Sequence, residues 1–239
     1  MANPSEASQE LSSAIRELTT VLIRDESLQE TLDGIVELAR RTVPGCDNAS
    51  VTMVVQGSPT TTAATDRVVL EVDLLQYKAN EGPCLDAYRQ RHAVRVDFLV
   101  EPERYVHLAP GAVEAGVASV LSSPLEVRGE AIGALNLYST GDGGFTPKSE
   151  EIALLLAGQA AVVIANAQVY ENSRNLVSQL EEALESRDVI GQAKGILMAA
   201  ERVGAEQAFD MLRRASQRQN RKLRDIARDL VDQNARRDT

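Results

Sequence analysis

The sequence predicts an α+β domain built on an antiparallel sheet, then an all-α segment of three helices, with one long helix joining the two. Three observations carry that prediction. β-rich runs bounded by Gly and Pro crowd the first 150 residues. From Pro147 onward nothing breaks a helix decisively until Gly204. The charge also divides: residues 1–170 hold 12 Lys/Arg against 23 Asp/Glu, whereas residues 211–237 hold 9 against 3.

The first ten residues are polar and are expected to be disordered. Leu11, Ile15, Leu18 and Leu22 then read as one helix, and Leu28, Leu32, Ile35, Val36 and Ala39 as a second that stops at Pro44-Gly45. Ala49–Val55 is rich in β-branched residues and ends at Gly57-Ser58-Pro59, so it reads as a strand. Thr60–Thr65 follows as a second strand candidate, and 66–79 reads as helical or irregular. Glu81-Gly82-Pro83-Cys84 is a turn into a helix over Leu85–Arg91, with Pro83 suited to a first helical position. Val94–Asp97 is a short strand, and 101–116 is a loop and helix. Ser119–Val127 and Ala131–Tyr138 are strands whose short connection, Arg128-Gly129-Glu130, signals a hairpin.

In a chain of 239 residues, 44% hydrophobic and 25% charged residues describe an ordinary globular protein and exclude a disordered or collagen-like chain. Cys46 and Cys84 could form one bridge at most, so no disulfide framework is implied. The N-terminus has neither the basic start nor the apolar stretch of a signal peptide, and a cytoplasmic location is expected. Residues 152–170 carry no charge, which raises the question of a membrane span. Gln159, Asn166, Gln168, the alanine richness and the lack of a basic flank favour a helix packed on the sheet instead.

Val162, Val169, Leu176, Ala183 and Ile190 recur every seventh residue, and Leu180 and Leu184 widen the stripe. A sustained seven-residue apolar repeat favours supercoiling with a second helix, so a homodimer is expected along this seam. Asn172 and Gln179 interrupt it, as polar residues do where register is imposed at some cost in stability. The C-terminal faces are marked by Ile190, Ala193, Leu197 and Ala200, then Ala208, Phe209, Leu212 and Ala215, with Phe209 read as core. Leu223, Ile226, Ala227, Leu230 and Val231 form the last one-sided stripe.

Catalytic chemistry finds little support. His92 and His107 are not at metal-ligand spacing with another Cys or His. Gly141-Asp142-Gly143-Gly144 lacks the lysine and following helix of a phosphate loop, and no nucleophile elbow occurs. No enzyme activity and no cofactor are expected. Cys84 stands at the expected start of a helix, where the dipole would favour a thiolate, so a redox role competes with that of an ordinary buried cysteine.

Two stretches resemble known families. Arg187–Met198, followed by Ala208–Ser216 and by Asn220-Arg221-Lys222-Leu223, resembles the ANTAR domain. Asn80–Ala87, Arg95-Val96-Asp97 and Gly133–Leu137 resemble a GAF sensory domain of the actinobacterial kind. The resemblance implies a GAF domain over 11–170, a coiled-coil linker helix over 171–185 and an ANTAR domain over 186–239. It further implies a dimeric transcription antiterminator whose ANTAR units bind an RNA with two adjacent hairpins, each with a six-nucleotide loop. The GAF domain would take a small-molecule input. It lacks the Cys-His pair expected for covalent attachment of a linear tetrapyrrole, since Leu85 follows Cys84.

The RNA-binding residues expected on this basis are Arg187, Ala193, Lys194, Gly195, Arg213, Arg214, Ser216, Asn220, Arg221 and Lys222. Lys194 sets a cation beside approachable backbone at Gly195. The arginines and Lys222 suit phosphates, while Ser216 and Asn220, read as sharing one face, suit base edges. The competing readings are a DNA-binding transcription factor using the same helices and a redox sensor acting through Cys84.

Overall fold

The computed structural model describes residues 27–141 and 144–235. The expectations of disorder over 1–10 and of a helix from Leu11 lie outside them. The chain divides into two compact units, one ending at Glu171 and one beginning at Asn172.

In the first unit, α1 (Leu28–Thr42) starts at a capping box. The Ser27 hydroxyl accepts from the Glu30 amide at 3.2 Å, and the Glu30 carboxylate accepts from the Ser27 amide at 2.8 Å. β1 (Asn48–Val55) and β2 (Ser58–Ala64) form a hairpin through Gln56 and Gly57, both at positive φ (52° and 80°). The remaining elements are α2 (Arg67–Ala79), α3 (Pro83–Gln90), β3 (Val94–Asp97), α4 (Ala109–Glu114), β4 (Ser119–Val127) and β5 (Glu130–Ser139). The β4–β5 turn is two residues, Arg128 and Gly129, at φ 54° and 82°, because Glu130 already pairs with Val127. That left-handed pair matches the twist of the strands it joins.

The five strands run β2-β1-β5-β4-β3, every neighbour antiparallel. Strand alternation gives the sheet two different faces. Ala49, Val51, Leu121, Leu135 and Leu137 pack with α1 and with the first part of α5 (Pro147–Glu201). On the other face Val96, Val120 and Tyr138 meet Val69 and Val72 from α2, Ala112 from α4 and Leu108 just before α4. β5 approaches β1 so closely that a Cβ on Gly133 would lie 2.0 Å from the Thr52 carbonyl oxygen. Gly133→Ala is therefore expected to cost about 2–3 kcal/mol of stability. Urea titration of the full chain checks this, and an unchanged midpoint would contradict it.

α5 is long and apolar enough to cross a membrane. In the first unit, however, Ile152, Ala153, Leu156, Ala157, Ala160, Ala161 and Ile164 are buried against the sheet, so this face belongs to the protein core.

The second unit consists of the C-terminal part of α5, α6 (Ala205–Gln219) and α7 (Leu223–Ala235). Ala193, Leu212, Ile226 and Ala227 form its core, with Val189, Ile190, Leu197 and Leu230 packed around them. Two expectations need correction. Ile190, which the sequence places both in the seven-residue repeat and on the C-terminal face, packs on this core, so it leaves the seam. Phe209, read as core, is 40% exposed, because α6 buries the narrower stripe of Ala208 and Leu212.

Candidate nucleic-acid interface and buried polar cluster

The basic residues of the second unit lie on the end of α5, on α6 and at the α6–α7 turn. Lys194 is half-buried, with its Nζ 5.9 Å from the centroid of the Phe209 ring. That places an aromatic surface beside the cation, which reading Phe209 as core had missed. Gly195 is exposed, and a Cβ added there would meet nothing within 4 Å, so the fold itself does not require the glycine. Arg187 is exposed on the same helix, two turns earlier.

Ala193 is fully buried in the three-helix core, which corrects its assignment as an RNA contact. Its small side chain allows α6 and α7 to close on α5. Ser216 and Asn220 also depart from expectation. α6 ends at Gln219, and Asn220 caps it in the left-handed region at φ 49°, so the two do not share one helical face. The Ser216 hydroxyl donates to the Arg221 carbonyl at 2.5 Å, and the Arg221 amide donates to the Ser216 carbonyl at 3.1 Å. Both residues thus build the turn that admits α7.

Arg213 and Arg214 reach the Asp210 carboxylate at 2.5 and 2.7 Å, which holds that carboxyl below its usual range, chiefly through the Arg213 hydrogen bond. Arg221 pairs with Asp229 at 2.7 Å. Arg224 pairs with Glu182, and Arg228 with Glu185 at 2.7 Å, tying α7 to α5. Exposed pairs of this kind exchange readily for other anions, because each contributes about 1 kcal/mol or less. Lys222 is exposed at the turn.

Along α5 the seam residues Val162, Val169, Leu176 and Leu180 are 47–66% exposed, and Ala183 is exposed beside them. An apolar row this long on a helix surface has the form of a contact surface.

The first unit holds a different kind of site. On the sheet face toward α2, the Asp73 carboxylate is fully buried, and among the described residues no cation pairs with it. It accepts from Ser50 Oγ and Thr61 Oγ1, both at 2.8 Å, from Gln76 Nε2 at 3.3 Å and from the Tyr138 hydroxyl. Burial pushes its pKa up to about 6 against those hydrogen bonds. Asn136 donates to Ser50 and Thr52, while Asn136 Oδ1 and Ser122 Oγ are buried with no partner among the described residues.

Cys84 borders this cluster, donating to Thr52 Oγ1 at 3.2 Å. Its position in the first turn of α3 matches expectation, but the favoured thiolate does not. The thiol is buried, and burial together with the nearby Asp73 pushes its pKa up to about 12. Burial also pushes the Cys46 thiol up to about 12. Both cysteines are free. Iodoacetamide at neutral pH is therefore expected to label neither in the native protein and both in urea. Rapid native labelling of Cys84 would restore the redox reading.

His92 and His107 are exposed. Among the described residues no group of three or more His, Cys, Asp or Glu side chains could hold a metal ion.

The first unit is a five-stranded antiparallel sheet with helices on both faces, and the second is a helical unit. The chain belongs to the GAF domain family, which matches residues 25–165, and residues 178–231 match the ANTAR domain. Both are regulatory domains.

Among solved structures, the phycoerythrobilin-bound GAF domain of a cyanobacterial phytochrome is similar at a TM-score of 0.54 and 16% identity, covering 67% of this chain and 96% of that one. The GAF domain of an Acinetobacter phosphoenolpyruvate-protein phosphotransferase gives 0.52 and 17%, covering 72% and 99%. A domain of a putative two-component sensor histidine kinase from Sinorhizobium meliloti 1021 gives 0.51 and 18%, covering 63% and 99%. At such identities the likeness is one of fold. No curated protein matches the chain closely enough to count as a relative.

Proposed function

We infer that this protein is an RNA-binding transcription antiterminator, bound to paired stem-loops through its ANTAR domain and governed by an input to its GAF domain. The match of residues 178–231 to the ANTAR domain carries the reading. The surface supports it. Lys194, with Phe209 beneath it and exposed Gly195 backbone next to it, offers a cation, an aromatic plane and close approach together. Single-stranded loops are recognised by that combination, because their bases can be unstacked and reached, whereas the deep groove of an RNA stem cannot. Arg187, Arg213, Arg214, Arg221 and Lys222 supply further cations on the same unit, and Ser216 and Asn220 shape the turn that carries Arg221 and Lys222.

The domain limits proposed remain 11–170, 171–185 and 186–239, with a homodimer formed along Val162, Val169, Leu176, Leu180 and Ala183. Two hairpins then engage two ANTAR units, which protects the pair at the expense of an overlapping terminator. A cytoplasmic location is part of the same reading. The reading includes no catalytic step and no cofactor.

In a titration with a synthetic RNA carrying two adjacent six-nucleotide-loop hairpins, Lys194→Ala is expected to weaken binding by about tenfold or more, the scale of one lost stacking and charge contact. Equal binding by the variant and the parent would contradict the role of Lys194. A preference of the parent for duplex DNA would favour the DNA-binding alternative.

A further inference from the structure

The second unit contains a groove of about 900 Å³, lined in part by Arg214 and Arg221 and otherwise by residues outside the expected contacts. It lies where the end of α6 and α7 diverge. Leu197, Leu212 and Leu230 lie along its apolar side, while Arg214, Arg218 and Arg221 stand on its rim beside Gln217 and Gln233. Among the described residues its one lining carboxylate is Asp229, already paired with Arg221, while Arg214 pairs with Asp210 outside the lining. The groove is therefore apolar within, net positive at the rim and furnished with amides.

We propose that this groove seats an unpaired nucleobase of the bound RNA, with the apolar floor against its face, Gln217 and Gln233 at its hydrogen-bonding edge and the rim arginines on its flanking phosphates. The proposal rests on the RNA-binding reading above and goes further, assigning base reading to the apolar floor and to Gln217 and Gln233, which lie outside the contacts already named, beside Arg214 and Arg221, which are among them. The chemistry selects this occupant. A base held in a stem keeps its faces stacked and offers only edges, so leucine side chains would gain nothing from it. A base extruded from a loop brings an apolar face, an edge of donors and acceptors and two phosphates, and each meets a matching group here. An acidic peptide helix would satisfy the arginines but make less use of the two glutamines.

The test selects from a pool of two-hairpin RNAs with randomised six-nucleotide loops, using the full-length chain. Gln217 and Gln233 are exposed, so Gln217→Ala with Gln233→Ala leaves the core intact. The parent protein is expected to enrich a particular base at one loop position or more. The double variant is expected to lose that preference by about tenfold or more while still binding hairpin RNA through its cations. If the variant keeps the same base preference, the groove is not the reader and the RNA-binding function stands. If the parent enriches no hairpin RNA over duplex DNA, the functional reading fails and the groove assignment fails with it. Met211→Glu, which puts a negative charge at the groove wall, provides a second check and is expected to abolish the preference; an unchanged preference there also overturns the proposal.

Discussion

Leu176→Asp combined with Leu180→Asp is expected to convert the protein to a monomer and to weaken its binding to a two-hairpin RNA by about 100-fold or more. Both leucines are more than half exposed in the single chain, so the change removes nothing from the chain's own core. In a paired seam each would be buried, contributing about 1.5–3 kcal/mol, and two carboxylates there would instead meet two more across the interface. The loss in affinity follows from linkage. With two ANTAR units held together, the second hairpin binds as an intramolecular event at high effective concentration, and a monomer forfeits that gain. Affinity for a single hairpin should stay within about twofold, because no cation of the second unit is altered. Sedimentation and RNA titration measure the two effects separately. A variant that remains dimeric would refute the seam, whereas a monomer that still binds two hairpins as tightly as the parent would refute the link between dimer and RNA.

Asp73 carries the other large effect. Asp73→Ala leaves Ser50, Thr61, Gln76 and Tyr138 with donors directed at an empty position and is expected to cost about 3 kcal/mol. The same residue makes stability depend on pH with a definite sign. The folded chain holds the Asp73 proton up to about pH 6, whereas an unfolded aspartate releases it near pH 4. Between those values the folded state binds one proton more, so this group's contribution falls as pH rises from about 4 to about 6 and is level above that. Tyr77, Tyr138 and Cys84, the other titratable groups facing it, all have raised pKa values and stay neutral throughout that window. Asp73→Asn removes the ionisation and should remove this part of the slope. Urea unfolding of parent and variant at pH 4, 5, 6 and 7 reads the difference, and parallel curves would contradict the assignment.

The cluster also shows which parts of the fold a sequence discloses. The Arg128-Gly129 hairpin was legible because its determinants are local: a two-residue turn at positive φ between two apolar runs. The strands and the 147–204 helical stretch were legible for the same reason. α2 was ambiguous because its buried stripe is Val69, Val72, Asp73 and Gln76, two of them polar, which blurs the apolar period that marks a helix. The buried carboxylate depends on partners from β1, β2 and β5, and no single stretch of sequence shows them together.

At the candidate interface, residue types were more legible than their surroundings. Lys194 and the arginines follow from charge, but the burial of Ala193 depends on how three helices close. Cys84 was rightly placed at a helix start, yet its protonation is set by its enclosure and not by the helix end. Phe209 shares its helix with Ala208 and Leu212, and only the width of the buried stripe decided which of them faces solvent.

The central claim is that two joined ANTAR units read paired RNA loops. The most direct measurement is the affinity of the full-length protein for a two-hairpin RNA, beside one hairpin, the same stems with scrambled loops and duplex DNA, over a series of salt concentrations. The account predicts tight binding that needs both hairpins and their loop sequences and that keeps this preference as salt rises, although every absolute affinity falls. Weak binding, equal for all four polyanions and abolished together by modest salt, would reduce the basic surface to an electrostatic patch and contradict the account.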